Sequence, residues 1–264
     1  MATNGHSDAP IELSNVVKKF GSERVLDGVD LAVPRGAITV LIGPSGAGKT
    51  VTIKHLLGLM RPSSGVVRIE GKNLAAISED ELNELRRNMS VVLQGALPFT
   101  CGLFYSLNVF ENVAFPLRDR RRWPADEIER VVMVHLDMVG LRERAKAMPE
   151  QLSAGECKRT ALARALALEA GIVIIDDFDS GLDGVRLGLL CDLIADLQRD
   201  SQSTVLVTTH DMTAARRLAD YAAVIHEGRI VASGDSDTVF GSSEPFLRQF
   251  IAGDVSGPLQ LRSS

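Results

Sequence analysis

Gly43-Pro44-Ser45-Gly46-Ala47-Gly48-Lys49-Thr50 is the stretch that decides the fold. It satisfies the pattern GxxxxGK[ST], it follows the apolar run 37–42, and a helical pattern begins at Gly48-Lys49-Thr50 with Ile53, Leu56, Leu57 and Met60 on one face. Strand, glycine-rich turn and helix start in that order make a phosphate cradle. The glycines let successive backbone N–H groups aim at phosphate oxygens, and the helix N-terminus adds its partial positive charge. Lys49 supplies a point charge to the β- and γ-phosphates, and the Thr50 hydroxyl suits Mg²⁺. The stretch reads as a nucleotide site.

Working outward, the carboxylates that serve such a loop are expected at the end of a second buried strand. Ile172-Val173-Ile174-Ile175-Asp176-Asp177 provides them. Asp176 is expected to hold the metal through water, and Asp177 to face the attacking water. Gln94 follows the strand-like run 90–93, and His210 follows 204–209, so both fall at the strand ends where open α/β sheets bind ligands. Gln94 can reach metal or water there, and His210 can donate to the γ-phosphate. Leu152-Ser153-Ala154-Gly155-Glu156 opens an Ala/Leu/Arg helix. Ser153 and Glu156 read as a capping box, and the same helix start reads as an anion site without a lysine of its own. A second phosphate site far from Lys49 makes sense where two copies meet head to tail, each covering the other's nucleotide.

The chain as a whole suits this chemistry. It has 264 residues, 45% apolar and 24% charged, with 34 acidic against 29 basic side chains and a net charge of −5. Global disorder and a dedicated nucleic-acid coat are both disfavoured by that balance. No apolar run reaches the length of about 18 residues that spans a bilayer, and the polar start 1–10, read as a disordered leader, has no signal-peptide core. Cys101, Cys157 and Cys191 are far apart without a CxxC pair, as in a reducing cytosol. β-like runs at 11–17, 24–33, 37–42 and 65–70 come first. A mostly helical stretch follows from about 96 to 149, and strands resume at 171–176, 204–208, 222–226 and 230–231. Strands alternating with helices imply a mainly parallel sheet with a helical insertion and antiparallel decoration near the start. From Gly241 a short helix, 244–252, leads into a Ser/Gly/Pro tail.

In order, the eight-residue loop, Gln94, Leu152–Glu156, Asp176-Asp177, Ser180-Gly181-Leu182-Asp183 and His210 resemble the ATP-binding subunit of an ABC transporter across nearly the whole chain. The resemblance implies a P-loop NTPase core over 11–240, α/β with an antiparallel β subdomain and a helical subdomain at about 96–170, then a C-terminal helix and tail over 241–264. It implies ATP and Mg²⁺ as cofactors and a homodimer or heterodimer of ATP-binding subunits. It also implies transmembrane permease partners and a peripheral place on the cytoplasmic face of the cell membrane, with no membrane insertion and no nucleic acid. By the same resemblance Phe20 stacks on adenine, Ser180–Asp183 lets the two subunits sense each other, and the apolar stretch 96–110 forms the groove for a membrane-subunit helix. Asn108–Arg118, Asp179–Asp183 and Glu244–Phe250 with Gly257-Pro258 look like the Mla/Mce lipid-transport branch.

The family pattern is broken in two places. The acid after the metal aspartate is Asp177 where the family has Glu, and Phe178 follows it where the family has Pro. The lost methylene withdraws the carboxylate by about 1.5 Å, so slow hydrolysis with intact nucleotide binding is expected. Ala154 stands where the signature has Gly: at positive φ it would cost about 1–2 kcal/mol, at negative φ nothing. These departures leave a second reading open, a nucleotide-gated regulatory or assembly subunit that barely hydrolyses ATP. A soluble ABC protein of DNA repair or translation is disfavoured, because the chain has neither a long coiled-coil insertion nor a second cassette.

Overall fold

The computed structural model describes residues 9–93, 102–121, 123–179 and 182–258. Gln94, Ser180 and Gly181 lie outside the described residues, as do residues 96–101 of the expected groove. The elements in chain order are β1 (Ile11–Phe20), β2 (Glu23–Val33), β3 (Ile38–Ile42), α1 (Lys49–Leu56), β4 (Ser64–Ile69), β5 (Lys72–Asn73), α2 (Glu79–Arg87) and β6 (Met89–Val92). The helical stretch holds α3 (Val109–Arg121), α4 (Ala125–Met138) and α5 (Ala154–Leu166). Then come β7 (Ile172–Ile175), α6 (Gly184–Ser201), β8 (Thr204–Thr209), α7 (Met212–Leu218), β9 (Tyr221–His226), β10 (Arg229–Asp235), α8 (Ser236–Phe240) and α9 (Pro245–Ala252).

Six strands form one sheet in the order β10-β9-β3-β8-β7-β6. All its pairings are parallel except the β9–β10 hairpin at one edge. Every residue of β3, β7 and β8 is buried, because elements cover both faces of the sheet, and that is why these strands read as unbroken apolar or threonine-capped runs. The two-residue period sorts their side chains. Val40, Ile42, Val173, Ile175, Val205 and Val207 face a core shared with α5, α6 and α7. Leu41, Ile172, Ile174 and Leu206 face a second core, closed by α1 and by the four-stranded antiparallel sheet β2-β1-β4-β5. A third core joins α3, α4 and the far end of α5 through Val113, Leu117, Val132, Leu136 and Ala163.

Several boundaries differ from the sequence reading, each for a physical reason. β1 runs on to Phe20 because Lys19 and Phe20 continue the ladder against Arg24 and Glu23. The first helix ends at Leu56, and Gly58 at φ 64 closes it, so Met60 falls beyond the helix. β10 spans seven residues where the sequence suggested two, since exposed and half-buried positions alternate along an edge strand with no apolar run to mark it. α2 gave no sign in apolar periodicity; the capping box from Ser78 to Glu81 starts it, with Ser78 Oγ accepting from the Glu81 amide at 3.3 Å. Helix α9 folds back on its own subunit, with Leu247 buried in the sheet core and the Phe246 ring 4.6 Å from His226. Among the described residues no helix is long and apolar enough to cross a membrane.

Candidate functional site

The loop from Gly43 to Gly48 leaves the C-terminal end of β3 and enters α1, with Gly48 as the helix cap at φ 109. Gly43 is needed for space: a Cβ there would lie 2.3 Å from the carbonyl oxygen of Ile225. The turn is closed by the Ala47 amide donating to Pro44 O at 3.2 Å. Lys49 Nζ donates to Gly43 O at 2.6 Å and Pro44 O at 3.1 Å, which holds the ammonium across the loop. Burial pushes that ammonium below its ordinary range, against the pull of Asp177, Asp176 and Asp179.

The strand ends beside β3 bring the acids to this loop. A cleft of about 420 Å³ is lined by Ser45, Gly46, Gly48, Lys49 and Thr50 on one side and by Asp176, Asp177, Thr208 and His210 on the other. Asp176 is 3% exposed. Burial raises its carboxyl above the usual carboxylate range, the hydrogen bonds from Thr208 and Thr50 oppose the rise, the Asp177 charge adds to it and Lys49 opposes it. A hydroxyl and a carboxylate meeting in one cleft form a hard oxygen donor set of the kind that suits Mg²⁺, and Thr50 and Asp176 are the side chains that could hold it.

Asp177 sits at φ 53, a left-handed conformation in which Asp is enriched over most side chains. Its amide donates to Thr208 Oγ1 at 2.9 Å, and the Lys158 ammonium of α5 donates to the carbonyl oxygens of Asp177 and Phe178 at 3.5 Å and 3.0 Å. Phe178, 3% exposed, anchors the same turn in the sheet core, which gives the residue in place of the family's Pro a packing role. His210 Nδ1 stands 3.4 Å from Asp177 Oδ1 and 3.2 Å from Asp179 Oδ2.

Ser153, Ala154, Gly155 and Glu156 line no part of this cleft; they open α5. Their capping box is formed: Ser153 Oγ accepts from the Glu156 amide at 3.3 Å, and Glu156 Oε2 accepts from Ser153 N and Oγ, each at 2.8 Å. Arg144 Nε lies 3.2 Å from Glu156 Oε1. The hydrogen bonds from Ser153 and the nearby Arg144 and Arg159 hold the Glu156 carboxyl below its usual range. Ala154 is the first residue of the helix and is absent from the non-glycine residues at positive φ, so its methyl carries no backbone strain. Phe20 ends β1, half exposed, outside the cleft lining, with Lys18 Nζ 5.2 Å from its ring centroid. The sequence reading missed Thr208, Lys158 and Asp179. Thr208 carried a faint signal, a hydroxyl near the end of a buried strand two residues before His210; Asp179 stood only in the Asp179–Asp183 stretch that looked like the lipid-transport branch, and Lys158 carried none.

A family of ABC transporter domains matches residues 26–180. The chain belongs to the ABC transporter family. It is an ATP-binding ATPase subunit of that family. Over 252 residues it is 36% identical to the intermembrane phospholipid transport system ATP-binding protein MlaF of Escherichia coli K12, covering 96% of this chain and 92% of that protein. It is 39% identical over 249 residues to the probable ribonucleotide transport ATP-binding protein mkl of Mycobacterium tuberculosis H37Rv, covering 94% and 68%. The dimeric ATP-binding cassette MJ0796, bound to ADP and Pi in a post-hydrolysis state, superposes with a TM-score of 0.76 at 29% identity over 86% of this chain and 98% of that one. The cassette fold expected from the sequence is therefore the fold of this ABC subunit.

Proposed function

We propose that this cassette hydrolyses ATP with Mg²⁺ to drive a transporter that moves lipid, working as a dimer on transmembrane permease subunits at the cytoplasmic face of the membrane. The observation that carries the reading is the meeting of Lys49, Thr50, Asp176, Asp177 and His210 around one cleft. Lys49 and the loop amides bind the phosphates, and Asp177 with Gln94 orients the attacking water. His210 contacts the γ-phosphate. Thr50, Asp176 and Gln94 are the holders of the metal, which when bound neutralises charge on the β- and γ-phosphate oxygens. Ser153 and Gly155 meet the nucleotide of the opposite copy, with Ala154 and Glu156 completing the turn, and Phe20 lies against adenine. Binding energy at the γ-phosphate favours the closed dimer, and hydrolysis removes it.

The exposed rings of Phe104, Tyr105 and Phe115 support a docking face for the permease. Phe104 and Phe115 stand 4.9 Å apart, and the buried Asn112 side chain fixes the loop beneath them by bonding Phe104, Leu107 and Asn108. Exposed aromatic rings grouped in this way favour an interaction site.

The two relatives' names differ in cargo, phospholipid against ribonucleotide. End-to-end coverage of MlaF supports lipid. Purification of the native complex from membranes tests the reading. A permease with bound lipid and magnesium-dependent ATP hydrolysis is expected; a complex that carries ribonucleotide, or a chain with no affinity for magnesium-ATP, would overturn it.

A further inference from the structure

Asp179 has no part in the mechanism above, yet it is the most deeply buried carboxylate near His210. Its side chain is 3% exposed, and Oδ2 lies 3.2 Å from His210 Nδ1, nearer than Asp177 Oδ1 at 3.4 Å. Its other oxygen, Oδ1, is buried with no hydrogen-bond partner among the described residues. An isolated buried carboxylate is costly and persists when a partner repays it. Asp179 O accepts the Leu182 amide at 3.2 Å and the preceding Phe178 is buried in the sheet core, so the side chain projects from an anchored backbone.

We propose that Asp179 is a positioning residue for His210. Its carboxylate holds the Nδ1 side of the imidazole, so Nδ1 is the donor toward the acids and Nε2 is turned to the nucleotide in the cleft. Asp177 Oδ1 shares Nδ1 at 3.4 Å, and Asp179 is the nearer and more deeply buried of the two acids on that nitrogen. This inference rests on the hydrolytic reading for its consequence and on the observed contact for its geometry.

The test combines Asp179→Ala and Asp179→Asn with His210→Ala. Steady-state hydrolysis of magnesium-ATP by the full chain should lose about 10- to 100-fold in kcat in Asp179→Ala with KM nearly unchanged, and less in Asp179→Asn, whose amide oxygen still accepts from Nδ1. In the His210→Ala background the same changes should cost under about twofold, because groups that act as a unit are non-additive. An equal loss in both backgrounds would show a merely structural role and overturn the proposal. The ¹⁵N signals of the His210 ring, which report which nitrogen carries the proton, give a readout that needs no turnover. Nδ1 should be protonated in the native chain and lose that preference in Asp179→Ala; an unchanged ring also overturns the proposal. A native chain that fails to hydrolyse ATP would defeat the reading of function, while the ring signals would still decide this one.

Discussion

The Thr208 hydroxyl donates to Asp176 Oδ1, joining the C-terminal ends of the neighbouring parallel strands β8 and β7. Thr208 Oγ1 in turn accepts the Asp177 amide at 2.9 Å, so one side chain sets both acids of the cleft. Asp176 is buried and Asp177 holds a left-handed backbone, and each needs that support.

Thr208→Val keeps the shape and removes the hydroxyl. Leaving a buried carboxylate short of a donor costs about 1–3 kcal/mol. Urea unfolding should show a loss of that size, and magnesium titration of hydrolysis should shift to higher concentration. Unaltered stability together with an unaltered titration would remove Thr208 from the site.

Asp177→Glu restores the missing methylene. Misplacement by about 1 Å costs on the order of 10²-fold in rate, so turnover should rise by tenfold or more while nucleotide affinity stays within about twofold. A slower or unchanged variant sinks the explanation by carboxylate reach. Glu at this φ is sterically tolerable, since Glu70, Glu169 and Glu227 adopt the same region in this chain.

Ser153→Ala separates the cap from the proposed role across the dimer. Loss of an N-cap costs about 1 kcal/mol, which thermal unfolding should register. Nucleotide affinity of the isolated subunit should hold, because Ser153 lines no part of its own cleft, while turnover should drop at least tenfold. An equal drop in single-subunit affinity would argue against contact with the opposite copy's nucleotide.

Glu156 gives a signed pH dependence. Its folded carboxyl is held below the ordinary value of 4.5, first by the Ser153 amide. The ionised form therefore stabilises the fold fully above that value, and the contribution fades as pH falls through the lower, folded value. The difference in unfolding midpoint between native protein and Glu156→Gln should be present at neutral pH and shrink below about 4.5; a gap that widens in acid would reverse the assignment.

The contacts that these variants probe were not legible to the same degree. The loop from Gly43 to Thr50 could be read outright, because eight contiguous residues set their own backbone and the flanking strand is buried on both faces. β7 and β8 were equally plain, and the acids at the end of one and the histidine after the other followed from them. β10 and α2 were not, since an alternating edge strand and a polar capped helix carry little apolar signal.

Local chemistry, then, was determined by sequence alone: a phosphate loop, two paired acids, a capped helix start and a histidine at a strand end, each made by residues adjacent in the chain. The tertiary structure decided which of them meet. Strand register between β3, β7 and β8 brings Thr208 to Asp176 and sets His210 between Asp177 and Asp179, and helical φ at Ala154 removes the strain that a glycine position would have implied. Contacts between residues far apart in the chain depend on that register and on the burial around them, and neither is written in any one stretch of sequence.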